Sequence, residues 1–271
     1  MKYRLLCVDL DGTLLTDHKK LNEQDIEVLK EAATKGIKTA LITGRMPAAT
    51  DPIVRQLGIP CIMACNAGTY ILKEGQCIYT EYLSVESMKS IYKKVETFGI
   101  PLWIFRDKKW FVTAKDRFVE EEEELIQYTS ELVSVEELAF KWEKEGTGPN
   151  KVLIGAEPAL VQKMHEILRS QQNVDMACSS PNYLEIFPKG MNKGKALRLI
   201  CEKEGLRREE TIAFGDQELD IPMLEEAGIA VAMGNAIDEL KGKADFITKT
   251  NNEAGIAYAL NYYLNREEME D

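Results

Sequence analysis

The sequence predicts an α/β protein, a parallel sheet flanked by helices and interrupted in its middle by a smaller α+β segment. Three observations carry this. Short apolar runs alternate with helix-patterned stretches up to Leu83 and again from Met191 onward, as βαβ units require. Residues 84–189 change texture, with strands paired around two-helix units. The residues able to do chemistry fall just past the carboxyl ends of expected strands or at neighbouring helix starts, where open α/β sheets bind ligands. The expected domains are therefore 1–83 together with 190–271, and 84–189.

Taken in order, the apolar run at 3–8 ends in Asp9-Leu10-Asp11-Gly12 and reads as a buried strand followed by a sharp break. Asn22 caps a helix with Ile26, Leu29, Ala32 and Ala33 on one face, and Gly36 ends it. A strand at 39–42 leads to Thr43-Gly44-Arg45, a helix follows at 47–57, and a strand at 61–65 ends in Asn66-Ala67-Gly68. A hairpin is expected around Lys73-Glu74-Gly75-Gln76. The middle segment reads as a helix at 84–98, strands at 102–106 and 110–113, and an acidic helix at 116–129. A loop at 143–149, a strand at 151–155, a helix at 158–170 and strands at 174–178 and 183–187 complete it. Trp103, Trp110 and Trp142 all lie there, as packing residues or as a substrate-shaping wall. The acidic run at 120–124 reads as a solvated helix face. Alternation resumes with a helix capped by Asn192, a strand at 211–214 ending in Gly215-Asp216, a strand at 229–232, a short strand at 245–248 and a helix at 253–264.

An apolar fraction of 45% and a charged fraction of 29% are those of a soluble globular chain. No apolar stretch is long enough for a membrane span and no basic, then apolar, leader opens the chain, so the expectation is a cytoplasmic protein. Six cysteines without a C-x-x-C pair read as reduced thiols, and two histidines are too few for a zinc site. A net charge of −11 argues against nucleic acid as a partner. It also means that an anionic substrate must be attracted by a locally positive pocket, with Lys193 as the expected cause.

Four separated signals share one geometry: Asp9 with Asp11, Thr43, Lys193, and Asp216 with Asp220. Two carboxylates past a strand invite a hard cation, an Asp can attack phosphorus, and a hydroxyl beside backbone N–H groups makes an anion cradle. A lysine in a first helical turn opposes the helix dipole unless it faces an anion. Each residue also has a plainer reading: an acidic turn, a helix cap, a surface lysine.

Together the motifs resemble those of the haloacid dehalogenase-like (HAD) phosphatases, Cof-type branch, over essentially the whole chain. Asp9-Leu10-Asp11-Gly12-Thr13-Leu14-Leu15, Thr43 within Leu41-Ile42-Thr43-Gly44-Arg45, Gly190-Met191-Asn192-Lys193-Gly194 and Gly215-Asp216 through Asp220 follow in the family's order. Val231-Ala232-Met233-Gly234-Asn235-Ala236 is also typical of that branch. Two departures stand out: Asn66-Ala67-Gly68 permutes the usual Asn-Gly-Ala, and Leu219 replaces the usual Asn of the fourth motif.

The resemblance implies a Rossmann-like core with a type IIB cap inserted between the second and third motifs. It implies Mg²⁺ held by Asp9, the Asp11 carbonyl and Asp216, with Asp220 behind them. Asp9 is then the nucleophile and Asp11 the acid and base, while Thr43, Lys193 and the N–H groups of Leu10 and Gly44 bind the phosphoryl oxygens. The implied partner is a small-molecule phosphate ester, a sugar phosphate first, with no nucleic acid and no membrane, in a monomer or weak homo-oligomer. A phosphomutase and a non-catalytic phosphate sensor are the alternatives. Asn192 and Gln217 are the candidates to replace the amide lost at Leu219.

Overall fold

The computed structural model describes residues 2–270. Its elements run β1 (Leu5–Val8), α1 (Glu23–Thr34), β2 (Lys38–Ile42), α2 (Pro47–Leu57), β3 (Cys61–Cys65), β4 (Tyr70–Lys73) and β5 (Gln76–Thr80). Then come α3 (Val85–Val95), β6 (Leu102–Arg106), β7 (Lys109–Val112), α4 (Arg117–Ile126), β8 (Glu131–Leu132) and α5 (Val135–Glu145). β9 (Lys151–Gly155), α6 (Pro158–Leu168), β10 (Val174–Ser180), β11 (Tyr183–Pro188) and α7 (Lys193–Glu204) follow. β12 (Thr211–Gly215), α8 (Ile221–Glu226), β13 (Ile229–Ala232), α9 (Asp238–Lys241), β14 (Phe246–Ile247) and α10 (Gly255–Glu270) end the chain.

The chain divides into two compact units, one of Met1–Thr43, Thr50–Ile78 and Asn192–Asp271, the other of Gly44–Ala49 and Tyr79–Met191. The first is built on an eight-stranded sheet of order β14-β13-β12-β1-β2-β3-β4-β5. β1 pairs in parallel with both β12 and β2, and β2 with β3, as buried βαβ crossovers dictate. β4 turns back antiparallel to β3, so the sheet is mixed. The central strands are apolar on both faces: Leu5, Leu6, Cys7 and Val8 are all fully buried.

The second unit carries a six-stranded sheet of order β10-β11-β9-β6-β7-β8. One face packs Ile104, Val152, Ile154 and Ile186 against Met88 and Ile91 of α3, Trp142 of α5 and Met164 of α6. The other presents Trp103, Phe105, Trp110 and Leu153, with Met46 and Ala49 over them. The tryptophans are packing residues, each at most 1% exposed. Two helices differ from expectation. The stretch at 143–149 is not all loop, because α5 runs on to Glu145. Ser134 caps α5 by accepting from the Glu137 N–H, and Gly146 ends it at φ 63°. The acidic helix is correspondingly shorter, with Gln127 leaving it at φ 52°.

Candidate active site

β12, β1 and β2 are neighbours in the first sheet, so the residues just past their carboxyl ends are brought into one row. Val8 pairs with Phe214 on one side and Leu41 on the other. Asp9, one residue on, therefore stands between the ends of β12 and β2. Its N–H donates to the Phe214 carbonyl at 3.2 Å, extending the ladder by one step. Two glycines make room for the carboxylates here. Gly12 turns at φ +81°, and a Cβ there would lie 2.3 Å from Asp216 Oδ2. A Cβ on Gly215 would lie 2.4 Å from the Asp220 Cβ. Neither position admits a side chain without moving a carboxylate.

Asp9, Asp216 and Asp220 are all buried and offer carboxylate oxygens within 4.8 Å of one another. Lys193, in the first turn of α7, donates through Nζ to Asp9 Oδ1 at 2.6 Å and to Asp220 Oδ1 at 2.5 Å. The other oxygen of Asp220 accepts from the Asp216 and Gln217 N–H groups at 2.9 and 3.0 Å. Both Asp220 oxygens are thus occupied, and this carboxylate orients the lysine and the turn. Asp216 accepts from Thr13 Oγ1 at 2.8 Å and Gln217 Nε2 at 3.2 Å.

Three buried carboxylates lie beside one ammonium that bonds two of them, Asp9 and Asp220, and the proton equilibria respond accordingly. Burial pushes the Asp9 carboxyl well above the usual range; Lys193 opposes this, while Asp220 and Asp216 add to it. Burial, then Asp220, raises Asp216 to about 6. Burial works against the charge of Lys193, but Asp220 and Asp9 outweigh it and hold the lysine firmly protonated. The expected locally positive pocket is not supplied by Lys193 alone, whose ammonium is paired with Asp9 and Asp220. The lysine is neutralised by its partners, and the cluster itself is under-compensated negative.

The remaining predicted residues are less uniform. Leu10 is fully buried and its carbonyl accepts from Leu15 N–H at 2.8 Å. Thr43 is buried; its N–H donates to the Ala64 carbonyl at 2.9 Å and its carbonyl accepts from Ala67 at 3.0 Å. The Asp11 side chain is not in the carboxylate cluster; it is 40% exposed and accepts from Lys19 Nζ at 2.7 Å. Gly44 groups with the second unit, where its carbonyl accepts from Lys151 Nζ at 2.7 Å. Leu219 is half-buried in a 3-10 turn. Of the two candidate replacement amides, Asn192 is engaged in capping α7 through Lys195 N–H, and Gln217 lies on Asp216.

Sequence reasoning missed the supporting shell. Thr13 fixes Asp216, and Asn235 Nδ2 donates to the Gly12 carbonyl at 2.8 Å. Asn251 donates through its backbone to Asn235 Oδ1 at 2.9 Å and through Nδ2 to the Leu15 carbonyl at 3.0 Å. Asn235 lies in a stretch already marked by its motif, but its partner on the first loop is 223 residues away in sequence.

A sheet of this order, with carboxylates at the ends of adjacent strands and a lysine at the start of α7, defines a hydrolase core of the haloacid dehalogenase-like class. The family model for haloacid dehalogenase-like hydrolases matches residues 6–260, and the chain belongs to that family. It is 28% identical over 272 residues to a 5-amino-6-(5-phospho-D-ribitylamino)uracil phosphatase of Bacillus subtilis, covering 96% of each chain. A haloacid dehalogenase-like hydrolase from Bacteroides thetaiotaomicron superposes with a TM-score of 0.85 at 27% identity, covering 96% of this chain and 99% of that one. A subclass IIB sugar phosphatase of the same superfamily superposes at 0.81 with 26% identity, over 96% and 98% of the two chains. The protein is a phosphatase. Among the described residues no helix is long and apolar enough to cross a membrane.

Proposed function

We propose that the protein hydrolyses small phosphorylated metabolites, sugar phosphates first, in a Mg²⁺-dependent reaction through an aspartyl-phosphate on Asp9. The observation that carries this is the buried group Asp9, Asp216 and Asp220 around one Lys193 ammonium. Three carboxylates against one ammonium leave a deficit of positive charge, and an all-oxygen donor set suits a hard divalent cation. Asp9, the Asp11 carbonyl and Asp216 would hold Mg²⁺, which when bound neutralises charge on the phosphoryl group.

The chain's own residues then divide the work. Asp9 attacks phosphorus in line as the alcohol leaves, and water afterwards releases phosphate from the aspartyl ester. Lys193, held by Asp220, presents its charge beside Asp9, where negative charge accumulates on the transferring group. Thr43 and the N–H groups of Leu10 and Gly44 supply further donors. Asp11, outside the carboxylate cluster, is assigned to give a proton to the leaving oxygen and later take one from water, and for the first step it must hold a proton that its pairing with Lys19 opposes. Lys19 competes for the same Asp11 oxygen and has to yield it during turnover. With so little covalent chemistry required, positioning and charge carry the rate.

The test is a panel of phosphomonoesters assayed with Mg²⁺ and again with a chelator. Turnover of sugar phosphates that chelation removes is expected. Turnover undiminished by chelation excludes the metal role, and no turnover of any ester excludes the reading as a whole.

A further inference from the structure

The turn after β3 carries a side chain that this chemistry leaves unused. Asn66 is fully buried, yet neither its Oδ1 nor its Nδ2 has a hydrogen-bond partner. Among the described residues it is the one buried side chain with both a donor nitrogen and an acceptor oxygen in that condition. Buried polar groups are paired in the great majority of cases, so a carboxamide with neither atom paired needs a reason. The backbone there is equally unusual. Asn66 and Ala67 stand at φ 52° and 61°, both in the left-handed region that residues other than glycine seldom enter. Ile42 pairs with Ala64, and the Thr43 N–H donates to the Ala64 carbonyl at 2.9 Å. A regular parallel ladder would return a bond from the Asn66 N–H to the Thr43 carbonyl, but that bond comes from Ala67 at 3.0 Å. Asn66 is therefore an extra residue displaced from the ladder, as in a bulge, a device that re-aims a side chain.

Its neighbours are the residues of the site. Asp9, Thr43 and Asn66 directly follow β1, β2 and β3, which are adjacent in the sheet, so the three form a row in that order. α7 runs against the strand direction. Its last residue, Glu204, takes Lys38 from the start of β2 at 2.6 Å and Lys73, opposite Ile62 near the start of β3, at 2.7 Å. The other end of α7, which carries Lys193, is thus the part that packs against the turn at 66–68. Two strand spacings separate β3 from β1 by about 10 Å. The side chains of Asp9 and Asn66, with a phosphoryl group between them, span that distance. A carboxamide offers two donor hydrogens and carries no charge. It can therefore meet an oxyanion without adding to the negative charge of the three carboxylates.

We propose that Asn66 is a further binding residue of the phosphoryl pocket, its Nδ2 donating to a phosphoryl oxygen on the far side of Thr43 from Asp9. This rests on the phosphatase mechanism proposed above. The displaced backbone keeps the carboxamide turned inward before the anion arrives, so the donor is in place when charge develops on the transferring group.

The test measures inorganic phosphate binding to the full chain by calorimetry with Mg²⁺ present, alongside kcat/KM for p-nitrophenyl phosphate and melting with and without phosphate. Asn66→Gly removes the carboxamide while admitting the left-handed backbone. It should weaken phosphate binding by about tenfold or more, the loss of one hydrogen bond to a charged group. kcat/KM should fall with it, and phosphate should raise its melting temperature less than that of the natural protein. Asn66→Asp, which keeps the shape and loses the amide donors, should also weaken phosphate binding. In the natural protein, with no substitution at all, the side-chain amide resonances of Asn66 should shift when phosphate is added with Mg²⁺. Variants that melt lower without phosphate but bind it as tightly as the natural protein would show that the carboxamide serves only a buried water, and would overturn the inference. Asn66 amide resonances unmoved by saturating phosphate would overturn it as well. If the natural protein itself neither binds phosphate nor hydrolyses any phosphomonoester, the phosphatase mechanism fails first and takes this inference with it.

Discussion

Replacing Lys193 by Met is the most informative single change, because the structure assigns the ammonium two tasks. It lies 2.6 Å from Asp9 and 2.5 Å from Asp220, whose side chains are 8% and 0% exposed. At an effective dielectric of ~20, unit charges ~4 Å apart attract by about 4 kcal/mol. The lysine's own desolvation offsets much of the sum over two such contacts. Breaking one side of a buried pair nets about 3–5 kcal/mol of destabilisation, mostly from the charge left behind. Here three carboxylates within 4.8 Å of one another would be left together. The metal-free Met variant should therefore unfold at lower urea with ΔG reduced by about that amount, and Mg²⁺ should stabilise it more than it stabilises the natural protein. In activity the loss should resemble that of an oxyanion donor, about 10²–10³ in kcat. Urea unfolding with chelator and with Mg²⁺, plus steady-state kinetics on p-nitrophenyl phosphate, reads both. A variant of unchanged stability and with kcat within tenfold of the natural protein would refute the reasoning, leaving Lys193 a bystander to the carboxylates.

Three other outcomes rest on particular contacts. Asp9→Asn should stay folded by circular dichroism and lose turnover by far more than tenfold, since it removes the nucleophile and a proposed metal ligand together; activity near the natural level would exclude the covalent route. Asp25 is fully buried, caps the start of α10 by accepting from Ala257 N–H at 2.8 Å, and is raised to about 6, chiefly by burial. A carboxyl whose folded value is raised keeps its protonated contribution below about 3.8 and loses it as pH rises through about 6. Asp25→Asn should therefore stabilise the protein by up to about 3 kcal/mol at pH 8, at 1.36 kcal/mol per unit, and by less at pH 5; an equal gap at the two pH values would contradict this. Leu219→Asn should strengthen inhibition by inorganic phosphate a few-fold, the effect of one hydrogen bond of about 0.5–1.5 kcal/mol, and unchanged inhibition would show that this turn does not reach the phosphate.

The parts of the fold that were legible in the sequence are those where local pattern and global role agree. The strand before Asp9 is apolar on both faces because it is central, and the short apolar run was enough to place it. α5 carried equally good signals, Ser134 with Glu137 three positions on, Val135, Leu138, Ala139 and Trp142 on one face, and Gly146 after it. They were obscured by the dense charge around them, which reads as loop when the apolar stripe is narrow. Burial of Asp220 was not legible, since nothing local distinguishes a carboxylate that accepts two backbone N–H groups from one facing solvent. Thr13, Asn235 and Asn251 were illegible for another reason. Their hydrogen bonds join the first loop to the last third of the chain, and such pairings become visible only when β12, β13 and β14 are laid out in order on one side of β1.

The sign of the charge at the site leads to a final prediction about order. A phosphate dianion approaching the metal-free protein meets net charge −11 overall and, locally, three carboxylates against one ammonium already engaged by two of them. Burial is the larger cause of the upward shifts at Asp9 and Asp216, and the neighbouring carboxylates add to it in both cases. A lysine neutralised at hydrogen-bond distance does little to attract an anion from beyond a Debye length of about 8 Å. Phosphate affinity should then depend on a divalent cation first restoring the balance, and that cation must displace protons from the carboxylates it binds. Calorimetric titration should find inorganic phosphate binding weak with chelator present and strong with Mg²⁺. Mg²⁺ affinity itself should fall as pH drops through about 6, where Asp216 takes up its proton. Equal phosphate affinity with and without the metal would mean that Lys193, Thr43 and the backbone N–H groups suffice, and that the carboxylate cluster plays no part in holding the anion.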